Sequence, residues 1–141
     1  MSARAHAATL RGRRRAEALM KDRCIIRRVL GQETDRDTGK VVPKLSDPVY
    51  PNPTHPVGKV KVQSYEGYEQ EKNTASTQVT VQRLSCHLPV GAYKINVGDI
   101  IEITESRLDP LLVGRKYRIT QEAPFKTFAT SYRVFVDYIA D

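Results

Sequence analysis

The segment that decides the fold lies at residues 99–121 and reads DIIEITESRLDPLLVGRKYRITQ. Its two ends, DIIEIT and RKYRITQ, alternate apolar and polar side chains with the period of two that half-buried strands show. The part between them, LDPLLVG, contains Asp, Pro and Gly, which are residue types that favour turns. We therefore predict a strand at 99–104, a compact turn at 108–114 and a second strand at 115–121.

Similar strand patterns recur on both sides of this segment. They predict further strands at residues 23–30, 40–45, 58–65, 77–88 and 132–139. Short strands at this spacing, without helical patterns between them, are typical of small antiparallel all-β folds. The predicted fold class is mainly β, a small antiparallel β-barrel or sandwich with an N-terminal helical arm and long loops.

Two local features refine the predicted strands. In the longest of them the apolar positions change from odd to even numbers between Val81 and Leu84, which predicts a bulge at residues 82–83. Between the first two strands, DRDTG at 35–39 predicts a hairpin turn in which Gly39 supplies a positive φ angle.

The N-terminal part of the chain has a different composition. Residues 5–22 contain no proline and are rich in Ala, Arg and Leu, which predicts a short helix with Gly12 as its weakest point. We therefore divide the chain into a basic helical arm at 1–22 and an antiparallel β domain at 23–141.

The excess positive charge of the chain lies in its first 30 residues, which are the arm and the first predicted strand. Residues 1–30 carry nine basic and two acidic side chains, which accounts for the whole net charge of +7. Residues 31–141 carry fourteen of each sign and are neutral. Attraction to an acidic partner or to nucleic acid is therefore expected to be local to the arm.

The arm is the candidate binding site of the chain. Its candidate docking residues are Arg11, Arg13, Arg14, Arg15, Leu19 and Arg23. Arginine forks bind carboxylates of an acidic protein surface, and the same cluster can contact phosphates. A solvated helix face is the third interpretation. We favour docking onto a protein because Leu10, Leu19 and Met20 also need an apolar partner.

Two segments are predicted to be long loops. Residues 46–58 contain four prolines, which exclude a central strand because proline lacks a ladder donor. Residues 66–76 are polar and are expected to form an exposed, mobile loop. Long loops on a compact barrel are often functional, and ordinary surface loops are the alternative.

The chain contains no sequence motif of a catalytic, metal or cofactor site. No phosphate-binding, zinc-protease or serine-hydrolase signature is present, and the three histidines are scattered. The two cysteines, Cys24 and Cys86, lack CxxC spacing, and on a strand Cys86 is expected to be buried while His87 is exposed. We predict a protein that is not an enzyme, without metal, cofactor or membrane segment, in a reducing cytoplasm.

Five stretches of the chain resemble a known family. They read RGRRRAEALMKDRCIIRR (11–28), TDRDTGKVVP (34–43), TVQRLSCHLPVGAYKINVGDIIEIT (80–104), DPLLVGRKYRI (109–119) and KTFATSYRVFV (126–136). Together they resemble the small neck proteins of long-tailed, siphovirus-type bacteriophages, in particular the head-closure or stopper proteins of actinobacterial phages. The resemblance runs from Leu10 to Tyr138, and its most specific parts are VGDIIEIT and DPLLVGRKYRI.

This resemblance implies a structural protein of the virion neck, assembled in the host cytoplasm. Such proteins form a ring of small β-barrels below the portal and adaptor, retain packaged DNA in the channel and provide the docking surface for the tail. The implied partners are copies of the chain itself, adaptor or portal proteins above, and a tail-terminator or tail-completion protein below. Rings of six and of twelve copies both fit.

In related stoppers a loop extends into the channel and closes it. By resemblance this role falls to residues 66–76, with candidate residues Glu66, Glu69, Glu71, Lys72 and Asn73, and the proline-rich loop is the rival. The alternatives are another neck component, such as an adaptor or tail-completion protein, and a small nucleic-acid-binding β-barrel of OB or SH3 type that uses the arm as an anchor. An adaptor is disfavoured because adaptors are expected to be mainly helical.

Overall fold

The computed structural model describes residues 3–65, 69–70, 79–80 and 83–140. It is mainly β, with nine strands and one α-helix among the described residues. The elements are the helix α1 (Ala3–Ala18), the strands β1 (Asp22–Thr34), β2 (Val41–Tyr50), β3 (Lys59–Tyr65), β4 (Glu69–Gln70), β5 (Val79–Thr80), β6 (Arg83–Leu88), β7 (Ile100–Glu105), β8 (Lys116–Glu122) and β9 (Tyr132–Ile139), and a 3-10 helix at Pro110–Leu112.

Six strands form a ring of antiparallel pairs. Around the ring the order is β1, β3, β6, β9, β8 and β7, and β7 pairs with β1 to close it. β2 pairs with β1 outside the ring. β4 and β5 form a separate two-stranded sheet. The predicted mainly β, barrel-like fold with an N-terminal helix is thereby confirmed.

The core fills the inside of this ring. Ile26, Ile101 and Ile103 are fully buried on β1 and β7, and Cys86 and Val134 face them from β6 and β9. Burying each such side chain stabilises the fold by about 1.5–3 kcal/mol. The alternation predicted from the sequence places these residues inside because successive strand residues point to opposite faces.

In the last strand, the alternating pattern correctly predicts burial for all but one of the apolar positions on one side. β9 has the predicted bounds, and its residues Tyr132, Val134 and Val136 are buried. Tyr138 shares their side but is 46% exposed. The reason is register, since the last pair between β6 and β9 joins Leu84 to Val136, and Tyr138 lies beyond it.

The prediction of one long strand at 77–88 was wrong. Val79 and Thr80 pair with β4, whereas the strand from Arg83 pairs with β3 and β9. The segment therefore contributes to two sheets. The predicted bulge at 82–83 falls partly on residue 82, which lies outside the described residues.

The proline-rich loop is shorter than predicted. β2 continues to Tyr50, so that residues 46–50 are strand and only 51–58 connect it to β3. Prolines are tolerated here because β2 pairs with β1 alone, and an edge strand has solvent-facing positions that need no donor. The hairpin prediction is confirmed, with Gly39 at φ 71° and its N–H donating to Asp35 O at 2.8 Å.

The helix also differs from its predicted bounds. It ends at Ala18 rather than at residue 22, and the chain then turns so that Met20, 2% exposed, enters the core. Asp22 already pairs with Val60 of β3.

Candidate docking surface on the basic helix

The basic helix packs against the loop at residues 123–131, which joins β8 to β9. The guanidinium Nε of Arg13 donates to Ala129 O at 3.0 Å. On the other side of the contact, Glu17 Oε1 lies 3.7 Å from Lys59 Nζ at the start of β3. The arm is therefore held on the barrel by two polar contacts that lie one turn apart along α1.

Gly12 makes this close packing feasible. A Cβ atom at position 12 would lie 2.7 Å from Thr130 Cγ2, which is closer than real Cβ atoms approach their neighbours. The sequence presented Gly12 only as a weak point of the helix. In the structure its missing side chain lets the backbone of α1 contact the loop.

The structure separates the six predicted docking residues into two groups. Arg11, Arg14, Arg15 and Leu19 are exposed. The three exposed arginines form no ion pair with any described residue. They are available for carboxylates or phosphates.

The other two arginines serve the local structure. Arg13 is half-buried against Ala129. Arg23 is half-buried and donates to Met20 O at 3.1 Å and to Asp22 O at 2.9 Å, which stabilises the turn between α1 and β1. Met20, for which an external apolar partner was expected, is already buried within the chain.

The loop under the helix adds aromatic and basic side chains to this surface. Phe125, Lys126 and Phe128 are exposed, and Phe128 precedes the residue that Arg13 contacts. We call the exposed arginines of α1 together with these three loop residues the helix–loop surface. No local pattern could show this neighbourhood, because more than 100 residues separate the two segments.

A protein-family model described as "Family of unknown function (DUF6093)" matches residues 12–137. The chain belongs to the DUF6093 family. No curated protein and no solved structure matches it. In this DUF6093 chain the match begins at Gly12, where α1 contacts the loop, and covers the ring of strands except for the last two residues of β9.

A cleft of about 240 Å³ opens beside the same loop. Tyr93, Phe125 and Tyr132 line it together with smaller apolar side chains and with Lys126, Ser131 and Arg133. The Tyr132 hydroxyl donates to Glu122 Oε2 at 2.6 Å, whereas the buried Tyr93 hydroxyl has no partner in the described part of the chain. The lining suits an apolar side chain of a docking partner, and sequence reasoning missed it because its aromatic residues are widely spaced.

The cysteine and histidine next to each other on β6 do not form a reactive pair. Cys86 points into the barrel, and burial raises the pKa of its thiol to about 12. His87 points outward but is half-buried, with Nδ1 3.3 Å from Ser131 Oγ, so the prediction of an exposed histidine was wrong. Burial lowers the His87 pKa from 6.5 to about 4, and the charges of Lys61 and Arg133 act in the same direction.

The described residues contain neither a metal-binding cluster nor a membrane-spanning helix. No group of three or more His, Cys, Asp or Glu side chains is close enough to hold a metal ion. No described helix is both long and apolar enough to cross a membrane.

The predicted channel loop is only partly described. Glu66, Glu71, Lys72 and Asn73 lie outside the described residues. Glu69 belongs to β4 and pairs with Thr80 of β5, so the predicted loop at 66–76 includes a short strand.

Proposed function

We propose that this protein is a structural component of a bacteriophage neck, a head-closure or stopper protein. In this proposal it forms a ring below the portal and adaptor, retains packaged DNA and provides the docking surface for the tail. Two findings support it: the sequence resemblance over residues 10–138, and the barrel-like ring of strands that such a protein is expected to have.

The observation that carries the proposal is a charged helix fixed on a barrel whose residues 31–141 have no net charge. Arg11, Arg14 and Arg15 are exposed on a helix that Arg13 ties to the barrel. Arginine forks bind carboxylates in two parallel hydrogen bonds, so an acidic ring of adaptor or portal protein suits this helix. Residues 31–141 carry no net charge, so copies can pack side by side without cumulative repulsion.

Within the ring, each copy is proposed to contribute residues 66–76 to a constriction of the channel. The rival loop, now residues 51–58, is tied to the barrel: the Asn52 amide donates to Ala92 O at 2.6 Å, and Cys24 N–H donates to Gly58 O at 2.9 Å. These anchors argue against residues 51–58 as the channel loop. Glu66, Glu69 and Glu71 would repel DNA phosphates, and many weak loop contacts in a ring act together.

The channel role is tested by reversing the charge of these three glutamates. We expect particles carrying Glu66→Lys, Glu69→Lys and Glu71→Lys to retain DNA differently from the parent, measured as DNA released from purified heads over time. A matched variant with Asp47→Lys, Glu105→Lys and Asp137→Lys, three exposed carboxylates elsewhere on the barrel, controls for the same change in net charge. Unchanged DNA retention in the triple variant would count against this role.

The neck function as a whole is tested by electron microscopy of lysates. We expect a phage with this gene disrupted to yield heads that leak DNA beside separate, complete tails, and a complemented control to yield normal particles. Normal tailed particles from the disrupted phage would contradict the proposal.

The helix–loop surface supports a second candidate, a nucleic-acid-binding barrel. Exposed arginines next to exposed Phe125 and Phe128 combine phosphate contacts with stacking surfaces. In this case the purified chain binds DNA with a steep salt dependence. Arg11→Gln, Arg14→Gln and Arg15→Gln together abolish that binding, whereas Arg36→Gln, Lys40→Gln and Lys44→Gln, which remove the same charge from the β1–β2 hairpin, do not. An equal loss of DNA binding in both triple variants would mean that the binding is only non-specific charge attraction.

A further inference from the structure

The first two strands continue beyond the ring as a two-stranded ribbon. β1 makes its last pair with β7 at Arg27 and Ile100, and its pairing with β3 covers only Asp22 and Arg23. From Val29 to Thr34 it pairs with β2 alone. We call residues 29–45 the projecting ribbon. A two-stranded ribbon without further contacts is at best marginally stable in water.

The ribbon exposes several large apolar side chains. They are Val29, Leu30, Val41 and Leu45. Leu30 and Val41 are each 63% exposed, although strands that leave the core normally carry polar residues. A partner that covers these side chains would stabilise the ribbon.

The two edges of the ribbon differ in their ability to bind another strand. β2 carries Pro43 on its outer edge and Pro48 just below it, and prolines on edge strands prevent strand addition. The free edge of β1 at 29–34 contains no proline. Its outward backbone groups have no hydrogen-bond partner within the described residues. The pairing with β2 is irregular between Val29 and Gly31 but regular from Gly31 to Thr34, and this regular part of the edge is open for strand addition.

The charge of the ribbon indicates the kind of partner. Residues 29–45 carry three basic and three acidic side chains, so the ribbon is neutral. Nucleic acid or a strongly charged protein gains nothing from a neutral surface. A second copy offers the same apolar side chains and the same balanced charges, which meet without net repulsion.

We propose that the projecting ribbon is a contact between copies of this chain, in which a strand of a second copy adds to the free edge of β1 at residues 29–34. The added strand satisfies the backbone groups of that edge, and its side chains cover Leu30 and its neighbours. The strand that adds is the free β1 edge of the second copy, so the contact joins copies in pairs. It goes beyond the proposed neck function and does not by itself build the ring.

Self-association of the purified full chain is the first test, measured by analytical ultracentrifugation over a range of concentrations. We expect the parent chain to self-associate and Leu30→Lys to weaken the association at least about tenfold, since a buried charge opposes strand addition. Val97→Lys is the matched control, because Val97 is 71% exposed and lies outside the ribbon. A parent chain that sediments as a monomer throughout, or equal weakening by both variants, would overturn the proposal.

A second test distinguishes the two edges. Both native cysteines are buried, so a maleimide photo-crosslinker reacts selectively with an introduced thiol. We expect a crosslinker on Gln32→Cys, in β1, to capture a second copy more efficiently than one on Lys44→Cys, in β2, when labelled and isotopically marked chains are mixed. Capture from β2 equal to or above that from β1 would overturn the proposed edge.

The two proposals fail separately. If the β1 crosslinker captures a second copy but a phage that lacks the gene yields normal particles, the contact is supported and the neck function is contradicted. If that phage yields leaking heads but Leu30→Lys does not weaken self-association, the neck function is supported and the contact is contradicted.

Discussion

At the scale of single residues, Gly58 sets how closely the connection before β3 approaches β1. Its φ angle is +75°, and a Cβ atom there would lie 2.8 Å from the backbone oxygen of Cys24. Because the Cys24 N–H also donates to Gly58 O at 2.9 Å, neither backbone can move away without loss of this hydrogen bond. Glycine is required here by conformation and by space.

We expect Gly58→Ala to lower the free energy of unfolding by about 2–4 kcal/mol, measured by urea denaturation. Gly91→Ala is the matched control, since Gly91 has a φ of +77° but no atom within 4 Å of an added Cβ. We expect Gly91→Ala to lower the free energy of unfolding by only about 1 kcal/mol, the conformational cost of a positive φ at a residue with a side chain. Equal losses in both variants would show that the contact with Cys24 is unimportant.

His87 gives the folded protein a pH dependence of its own. Its pKa is lowered from 6.5 to about 4, so the unfolded chain binds a proton more readily than the folded chain in this range. The contribution of His87 to stability is complete above pH 6.5 and is lost as the pH falls towards 4. Burial raises the pKa of the Asp99 carboxyl group, so the folded chain binds this proton more readily than the unfolded chain. The effect of Asp99 on stability as the pH falls is therefore opposite to that of His87.

We expect the parent protein to lose up to about 2 kcal/mol more stability than His87→Gln between pH 7 and pH 4, measured by denaturation at each pH. The difference between the two proteins isolates the histidine from the carboxyl groups that titrate in the same range. Parallel pH profiles would contradict the assignment.

At the scale of elements, α1 is positioned by the loop at 123–131 more than by its own sequence. Arg13 donates to Ala129 O, and Gly12 lies against Thr130. The contact joins an element at the start of the chain to the connection between the last two strands. The exposed arginines are thereby given a fixed direction relative to the barrel.

A double-mutant cycle tests this packing. We expect Gly12→Ala to stabilise the protein by about 0.5–1 kcal/mol when Thr130 is replaced by Ser, because helix propensity improves and the clashing methyl group is gone. With Thr130 present, the same change is expected to be neutral or destabilising, because the helix must shift away. Urea denaturation gives the four free energies, and additive effects would argue against the close contact.

At the scale of the whole molecule, the ring of strands encloses both cysteines. Cys24 on β1 and Cys86 on β6 are buried, and burial raises the pKa of both thiols. Ring closure depends on the pairs between β1 and β7, such as Ile26 with Ile101. Reaction of either thiol therefore reports opening of the barrel.

We expect both thiols to resist maleimide in the native protein and to react together upon unfolding. The measurement is the labelling rate at increasing urea, followed by mass spectrometry. Gln32→Cys, on the exposed ribbon, supplies an accessible thiol as the reference. Native labelling of Cys24 or Cys86 at the reference rate would mean that the barrel does not enclose them.

The sequence alone determined the features that depend on neighbouring residues. Alternating side chains located most strands, DTG located the turn with positive φ at Gly39, and the composition of the first residues located the helix and the excess charge. These features are local, because strand periodicity and turn geometry are set within a few residues.

Only the tertiary structure decided the features that join distant segments. β1 pairs with β7 and closes the ring. β2 can be a strand despite its prolines because it lies at the edge of the sheet. The helix α1 packs against the loop at 123–131. The same packing buries Met20 and half-buries His87. Such contacts depend on which surfaces meet after the chain collapses, and a single sequence does not encode them in any local period.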